Sequence, residues 1–214
     1  MRRLSTGALG AVLLGFALLL VASPAASARG AAKADDVPPG RAGVVKVSGL
    51  LDPVLVDFVS QAIEEAEAQD ALSVTLQLNS AGAVVSDAEI DALTEQMRAS
   101  DVPVAVWVGP SGSKALDEAA RLVEAAADSG MAPGTRITGP DGETLDDEEA
   151  VAAGVVDRAA PTIGLFNVEL DGFESRVVEG EDGRPTREPV TQTVFSQPPL
   201  WSQLAHTVAS PAVA

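Results

Sequence analysis

Residues 102–128, VPVAVWVGPSGSKALDEAARLVEAAAD, narrow the possible folds more than any other stretch of this chain. VPVAVWV is an almost wholly apolar run, and a strand that is apolar at nearly every position has to be covered on both faces. GPSGS then interrupts it with the residue types that turns require. From Ser113, read as an N-cap, the spacing predicts a helix with Leu116, Ala119, Ala120, Val123 and Ala127 on one stripe. A doubly buried strand, a Gly/Ser turn and a helix start form the corner at which open α/β sheets place ligands and nucleophiles.

The rest of the chain repeats that alternation. VVKVSG (44–49) reads as a first strand, and Asp52-Pro53 supplies an N-cap with proline at the first helical position. Leu55, Phe58, Val59, Ala62, Ile63 and Ala66 follow at helical spacing, while EEAEAQD faces water. SVTLQL (73–78) is a second strand and NSAGAVV (79–85) a loop. Ser86 with Glu89 then makes a capping box for a helix that turns Ile90, Leu93 and Met97 inward. GMAPGTRIT (130–138) reads as a short strand with a turn at Pro133-Gly134. GPDGETLDDEE (139–149) reads as an acidic loop leading into a short helix capped by Thr144 and ended by Gly154, and VVDRAA (155–160) as another strand. Strands alternating with helices at this spacing predict an α/β fold with right-handed crossovers and a mostly parallel sheet. ESRVV and TREPVTQTV flank EGEDGRP and read as a hairpin turning at Asp182-Gly183. SQPPLWSQLAHTVASPAVA is an apolar tail in which Leu200, Trp201, Leu204 and Val208 share a helix face of the kind that lies on a core, a partner or a bilayer surface.

Composition removes several function classes. With 31 Asp+Glu against 14 Lys+Arg and a net charge of −17, neither nucleic acid nor an anionic lipid surface is expected as a partner. The absence of cysteine excludes disulfides, thiol nucleophiles and thiolate metal sites. One histidine, His206, excludes imidazole clusters; it has no acidic partner within its own turn and reads as a surface or interfacial residue. The carboxylates of DGETLDDEE lack the glycine-centred spacing of a calcium loop, and GPSGS is not a phosphate-binding P-loop. No metal or cofactor is expected. At the start, Arg2 and Arg3 precede the apolar run GALGAVLLGFALLLVA and the small-residue site Ala26-Ser27-Ala28, which together read as a signal peptide cleaved after Ala28. An uncleaved N-terminal anchor is the alternative; both place the body of the protein outside the cytoplasm, in the cell envelope. The expected organisation is a signal peptide (1–28), a Pro/Gly linker (29–43), one α/β domain (44–172), and a hairpin with a juxtamembrane-like tail (173–214).

Several segments, in order, resemble the extracytoplasmic domain of the NfeD family, membrane-bound serine proteases with a ClpP/crotonase-like fold. They are VVKVSGLLDPVLVDFVSQAIEEAEAQDALSVTLQLNSAGAVV, VPVAVWVGPSGSKA, MAPGTRI and DEEAVAAGVVDRAAPTIGLFNVELDG, spanning residues 44–172. The tail PLWSQLAHTVASPAVA is similar to the region just before that family's first transmembrane helices. This leaves open a naturally short chain or one that continues into membrane spans beyond Ala214. In the family the loop after the second strand reads N-T-P-G-G and its backbone N–H groups form the oxyanion hole; here it reads Asn79-Ser80-Ala81-Gly82-Ala83. The resemblance places the family's nucleophilic serine at Asp117. It also places the catalytic lysine on an insert that GPDGETLDDEE replaces, and no lysine follows Lys114.

A Ser–Lys dyad needs a hydroxyl activated by a desolvated amine, and this chain offers neither at the expected places. Asp117 reads as an acidic residue in a first helical turn that pairs with Arg121 at i+4. The reading that follows is an exported NfeD-like pseudoprotease, a binding or assembly module. Its expected partners are a second copy of itself and stomatin-like membrane proteins or a hydrophobic peptide segment. Two alternatives stand beside it: an active, ATP-independent envelope serine endopeptidase with a relocated dyad of Ser111 or Ser113 with Lys46, and a secreted structural oligomer.

Overall fold

The computed structural model describes residues 41–173, 175–179, 185–189 and 191–196. In chain order the elements are β1 (Ala42–Ser48), α1 (Pro53–Ala68), β2 (Ser73–Asn79), α2 (Asp87–Ala99), β3 (Val104–Val108) and β4 (Lys114–Ala115). A 3-10 turn (Asp117–Ala119) runs into α3 (Ala120–Glu124). Then come β5 (Asp128–Met131), β6 (Arg136–Thr138), β7 (Thr144–Asp146), α4 (Asp147–Ala152), β8 (Arg158–Ala159), α5 (Ile163–Asn167), β9 (Ser175–Glu179), β10 (Pro185–Pro189) and β11 (Thr193–Ser196). Six strands form one sheet in the order β11-β1-β2-β3-β5-β8, and every neighbouring pair is parallel. The α/β fold with a mostly parallel sheet is as the alternation of strands and helices predicts.

The two faces of this sheet are covered differently. Val45 and Val47, Leu76 and Leu78, and Val104, Val106 and Val108 point to one face. There they pack with Phe58, Ile63, Ile90, Leu93 and Leu122 of α1, α2 and α3 in the main core. Alternate residues face the other way, where Ala105 and Trp107 join Ala132, Ala160, Phe166 and Leu170 in a second, smaller core. Asp52 caps α1 as expected, accepting the Leu55 N–H at 2.9 Å with Pro53 at the first helical position. Ser86 and Glu89 make the reciprocal capping box of α2.

The second core is held by polar contacts as well as by burial. The Trp107 indole N–H donates to the Ala160 carbonyl at 2.8 Å, and the Thr75 hydroxyl donates to Asn167 Oδ1 at 3.0 Å, tying α5 to β2. Arg158 Nη1 donates to both oxygens of Asp128, at 2.6 and 2.8 Å, and the guanidinium carbon lies 4.6 Å from the centre of the Phe166 ring. Phe166 in turn lies so close over Gly130 that a Cβ there would meet the ring at 2.6 Å.

Several local expectations are corrected. Ser113 caps no helix: its carbonyl accepts the Arg136 N–H at 3.2 Å, and the Lys114 carbonyl accepts the Ser80 N–H at 2.7 Å. The backbone groups a helix needs are taken by neighbouring chain, so 114–115 is extended and α3 starts later. It also ends at Glu124, and the exposed Ala127 donates its N–H to the Val104 carbonyl instead of closing an apolar stripe. Arg121 pairs across to Asp91 and Asp87 of α2, not back to Asp117. GMAPGTRIT holds two strands: the turn at Ala132–Thr135 parts β5, in the main sheet, from β6, which pairs with β4 and β7. Thr144 lies in β7, and Asp146 caps α4 in a reciprocal box with Glu149. Within VVDRAA only Arg158–Ala159 is strand. β9 and β10 pair antiparallel, with the Asp182-Gly183 turn outside the described residues, but TREPVTQTV is divided, because Thr193–Ser196 leaves it to pair with β1.

Two outcomes are expected. Gly130→Ala forces Phe166 off its seat and costs about 2 kcal/mol, read as a lower urea midpoint; an unchanged midpoint would mean the ring moves aside freely. The Ser86 hydroxyl, and then its N–H, hold the Glu89 carboxyl below its ordinary 4.5. That contribution is therefore full above about pH 4.5 and is lost as pH falls through the lower folded value. Ser86→Ala should flatten this part of the acid dependence of stability, measured by denaturation at stepped pH.

Candidate functional site

The corner is built from three pieces of chain at the C-terminal ends of β1, β2 and β3. After β2 the loop is pinned on one side to the segment before α3: Ser80 N–H bonds the Lys114 carbonyl, Leu116 N–H bonds the Ser80 carbonyl at 3.1 Å, and Lys114 N–H bonds Asn79 Oδ1 at 3.2 Å. On the other side Leu51 accepts from Val84 at 2.8 Å and donates to the Gly82 carbonyl at 2.9 Å. Gly82 sits at φ +131°, a conformation that needs glycine, whereas Ala83 has no left-handed φ and its methyl group is accommodated.

Asp117 follows this clamp. Leu116 is extended at φ −103° and ψ 155°; Asp117 turns to φ +49°, and the 3-10 turn begins. A side-chain-bearing residue in the left-handed region costs of the order of 1 kcal/mol, less for Asp than for most. The turn is held by the Asp117 N–H, which donates to the Thr138 hydroxyl at 2.9 Å. A sharp, strained turn from extended chain into helix is the backbone shape on which hydrolases expose a nucleophile. Here it exposes a carboxylate.

A second carboxylate stands beside it. Glu118 Oε2 accepts the Ala83 N–H at 3.2 Å. The Ser80 hydroxyl takes the neighbouring donor, accepting the Gly82 N–H at 3.3 Å while donating to the Gly82 carbonyl at 2.8 Å. The absent Cβ of Gly82 would lie 3.3 Å from Glu118 Oε2 and 3.6 Å from Asp117 Oδ2. Both N–H groups of the oxyanion-type loop, Gly82 and Ala83, thus already bond side chains of the chain itself. Stabilising a developing oxyanion requires free, preorganised donors; this corner presents bonded donors and negative charge.

Lys46, Ser111 and Ser113 are brought together elsewhere. They line a cleft of about 370 Å³ with Ser48, Gln77, Asn79, Gly109, Pro110 and Gly112. Gly82, Ala83 and Asp117 are not part of that lining. Ser113 is buried, while Ser111 and Lys46 are exposed. Ala28 and His206 lie outside the described residues. Among the described residues no three His, Cys, Asp or Glu side chains group as metal ligands, and no helix is long and apolar enough to cross a membrane. Glu118, Ser80 and Thr138 were not among the sequence candidates. Glu118 reaches Ala83 across 35 residues of chain, and no local spacing announces such a contact.

No family model matches the chain, and no curated protein matches it. Solved structures do. A membrane protease specific for a stomatin homologue from Pyrococcus horikoshii superposes with a TM-score of 0.65 at 18% identity, over 80% of this chain and 99% of the other. A mutant of a membrane-bound stomatin-specific protease in complex with a substrate peptide gives 0.61 at 17% identity, over 79% and 98%. The fold is that of the ClpP class. A ClpP1 mutant from Listeria monocytogenes adds a TM-score of 0.50 at 16% identity, over 57% of this chain and 93% of its own. The ClpP-class neighbours agree with the fold that the resemblance to NfeD proteins implies.

Glu118→Ala removes the acceptor from Ala83. The Ala83 amide should then exchange its hydrogen about tenfold faster or more, with the core strands unchanged, as read by hydrogen exchange. Unchanged exchange at Ala83 would mean that the carboxylate does not hold this donor.

Proposed function

We propose that this chain is an exported, NfeD-like pseudoprotease of the ClpP class, working as a binding or assembly module at the cell envelope. One observation carries the reading: the Glu118 carboxylate bonds the Ala83 N–H next to Asp117 on the exposed elbow. An acyl-transfer site needs a nucleophile at the elbow and open donors opposite it. Both places are filled by acid. Asp117 makes a poor substitute nucleophile, because attack on a peptide would require a mixed anhydride and its charge would oppose the oxyanion. The lysine expected after MAPGT is replaced by the β6–β7 hairpin and its acidic turn, which carry none.

Two of the fold neighbours are proteases specific for stomatin, one of them for a stomatin homologue and the other in a complex with a substrate peptide. That supports a stomatin-like membrane protein, or a hydrophobic peptide segment, as the partner of this module, with self-association as in other ClpP-class assemblies. The signal-peptide reading of residues 1–28 supplies the route to the envelope.

One observation favours a second reading, an endopeptidase with a relocated dyad: Lys46, Ser111 and Ser113 line a single cleft. Against it, Lys46 is exposed where a general-base lysine has to be desolvated, and the donors of the oxyanion-type loop lie outside that cleft. A fluorophosphonate probe separates the two. The full chain should not label, and peptide hydrolysis should stay at the blank rate. Labelling that disappears in Ser111→Ala or Ser113→Ala but survives in Asp117→Ala would overturn the pseudoprotease reading.

A further inference from the structure

β1 and β2 are interior strands of a parallel sheet, yet among the described residues nothing covers the ends of both on one face. In register across the sheet run Lys46, Gln77, Trp107, Gly130 and Arg158. From Trp107 onward this row lies under the second core, with Phe166 over Gly130. Among the described residues that core does not reach Lys46 or Gln77. In its place is the cleft of about 370 Å³, walled by Ser48, Asn79 and the Gly109–Ser113 turn. Parallel sheets are normally buried on both faces, and in open α/β folds ligands bind outside the carboxyl ends of the strands.

The lining of this cleft is rich in donors and free of acid. It holds one cation and no carboxylate, in a chain with 31 acidic residues. Among the described residues no carboxylate pairs with Lys46. The turn's N–H groups can be followed one by one. Gly109 donates to the Leu78 carbonyl at 3.2 Å, Pro110 has no N–H, Ser113 donates to the Pro110 carbonyl at 2.9 Å, and Lys114 donates to Asn79 Oδ1. Among the described residues no acceptor meets the N–H of Ser111 or of Gly112. Gly112 is left-handed at φ +84°, the conformation a type II turn demands at its third residue. With its oxygen engaged by Lys114, Asn79 has its amide nitrogen left to donate.

We propose that this cleft binds a carboxylate, with the Lys46 ammonium as counter-charge and the unengaged Ser111 and Gly112 N–H groups as donors. A single ammonium without arginine matches a singly charged group, and free N–H and hydroxyl donors beside it suit its two oxygens. The carboxylate comes from the C-terminus of a peptide or from an acidic side chain. The site is separate from the corner of Asp117 and Glu118, and the proposal does not depend on that corner being inactive.

The test follows the Ser111 and Gly112 amides by ¹H–¹⁵N spectroscopy of the full chain. Three peptides are titrated: acetyl-trialanine with a free C-terminus, its C-terminal amide, and the amide of acetyl-Ala-Asp-Ala. Saturable shifts at Ser111 and Gly112 are expected with a carboxylate-bearing peptide and not with the uncharged amide. A response to the free acid alone assigns the site to chain ends, and a response to the Asp peptide assigns it to side chains. Lys46→Met should weaken binding about tenfold or more and Lys46→Arg should largely restore it. Ser111→Pro, which deletes one donor, gives an independent loss. The proposal fails if neither acid shifts these amides, if the uncharged amide binds equally well, or if Lys46→Met leaves the titration unchanged. Fluorophosphonate labelling would remove the pseudoprotease reading and leave these shifts in place; absent shifts would remove this site and leave that reading.

Discussion

Everything in this fold depends on β3 being buried on both sides. All five of its residues are buried: Val104, Val106 and Val108 against the helices of the main core, Ala105 and Trp107 against the smaller one. A parallel ladder satisfies its own N–H and C=O groups but exposes two apolar faces, and each needs its own cover. α1, α2 and α3 supply the first. The second is supplied by the short α5 and by residues near the sheet's far edge, which is why Phe166, Gly130 and Arg158 are fitted so closely.

Much of this architecture is legible in the sequence, because its signals are local. The apolar run VPVAVWV, the Asp52-Pro53 start and the Ser86/Glu89 box concern residues a few positions apart, and each appears where spacing puts it. What spacing misses are the segments whose backbone groups are claimed from elsewhere. Residues 113–116 have the composition of a helix start but bond to Ser80 and Arg136, which no helical periodicity reveals. For the same reason Arg121 reaches α2 although Asp117 stands at helical spacing.

The candidate site divides along the same line. That a corner lies after β3, and that Asp117 occupies its elbow, follows from a strand, a turn and a resemblance. That Ala83 is bonded by Glu118, or that Lys46, Ser111 and Ser113 share a cleft, requires the sheet register and the loop clamps. Lys46 illustrates the difference. From sequence it is one of the two lysines of the folded body, weighed as a partner for Ser111 or Ser113, while in the fold it marks where, among the described residues, the cover over a register row ends.

The bond from Glu118 to Ala83 also bears on what this chain can become. On the proposed reading, a serine at residue 117 alone would face a donor already engaged, a carboxylate next door and, in the β6–β7 segment where the resemblance expects it, no lysine. Recovery of hydrolysis would need several coordinated replacements, none useful before the others. On that reading the arrangement would work as a ratchet: the scaffold would be free to be refined for holding a partner, with no single step leading to cutting one.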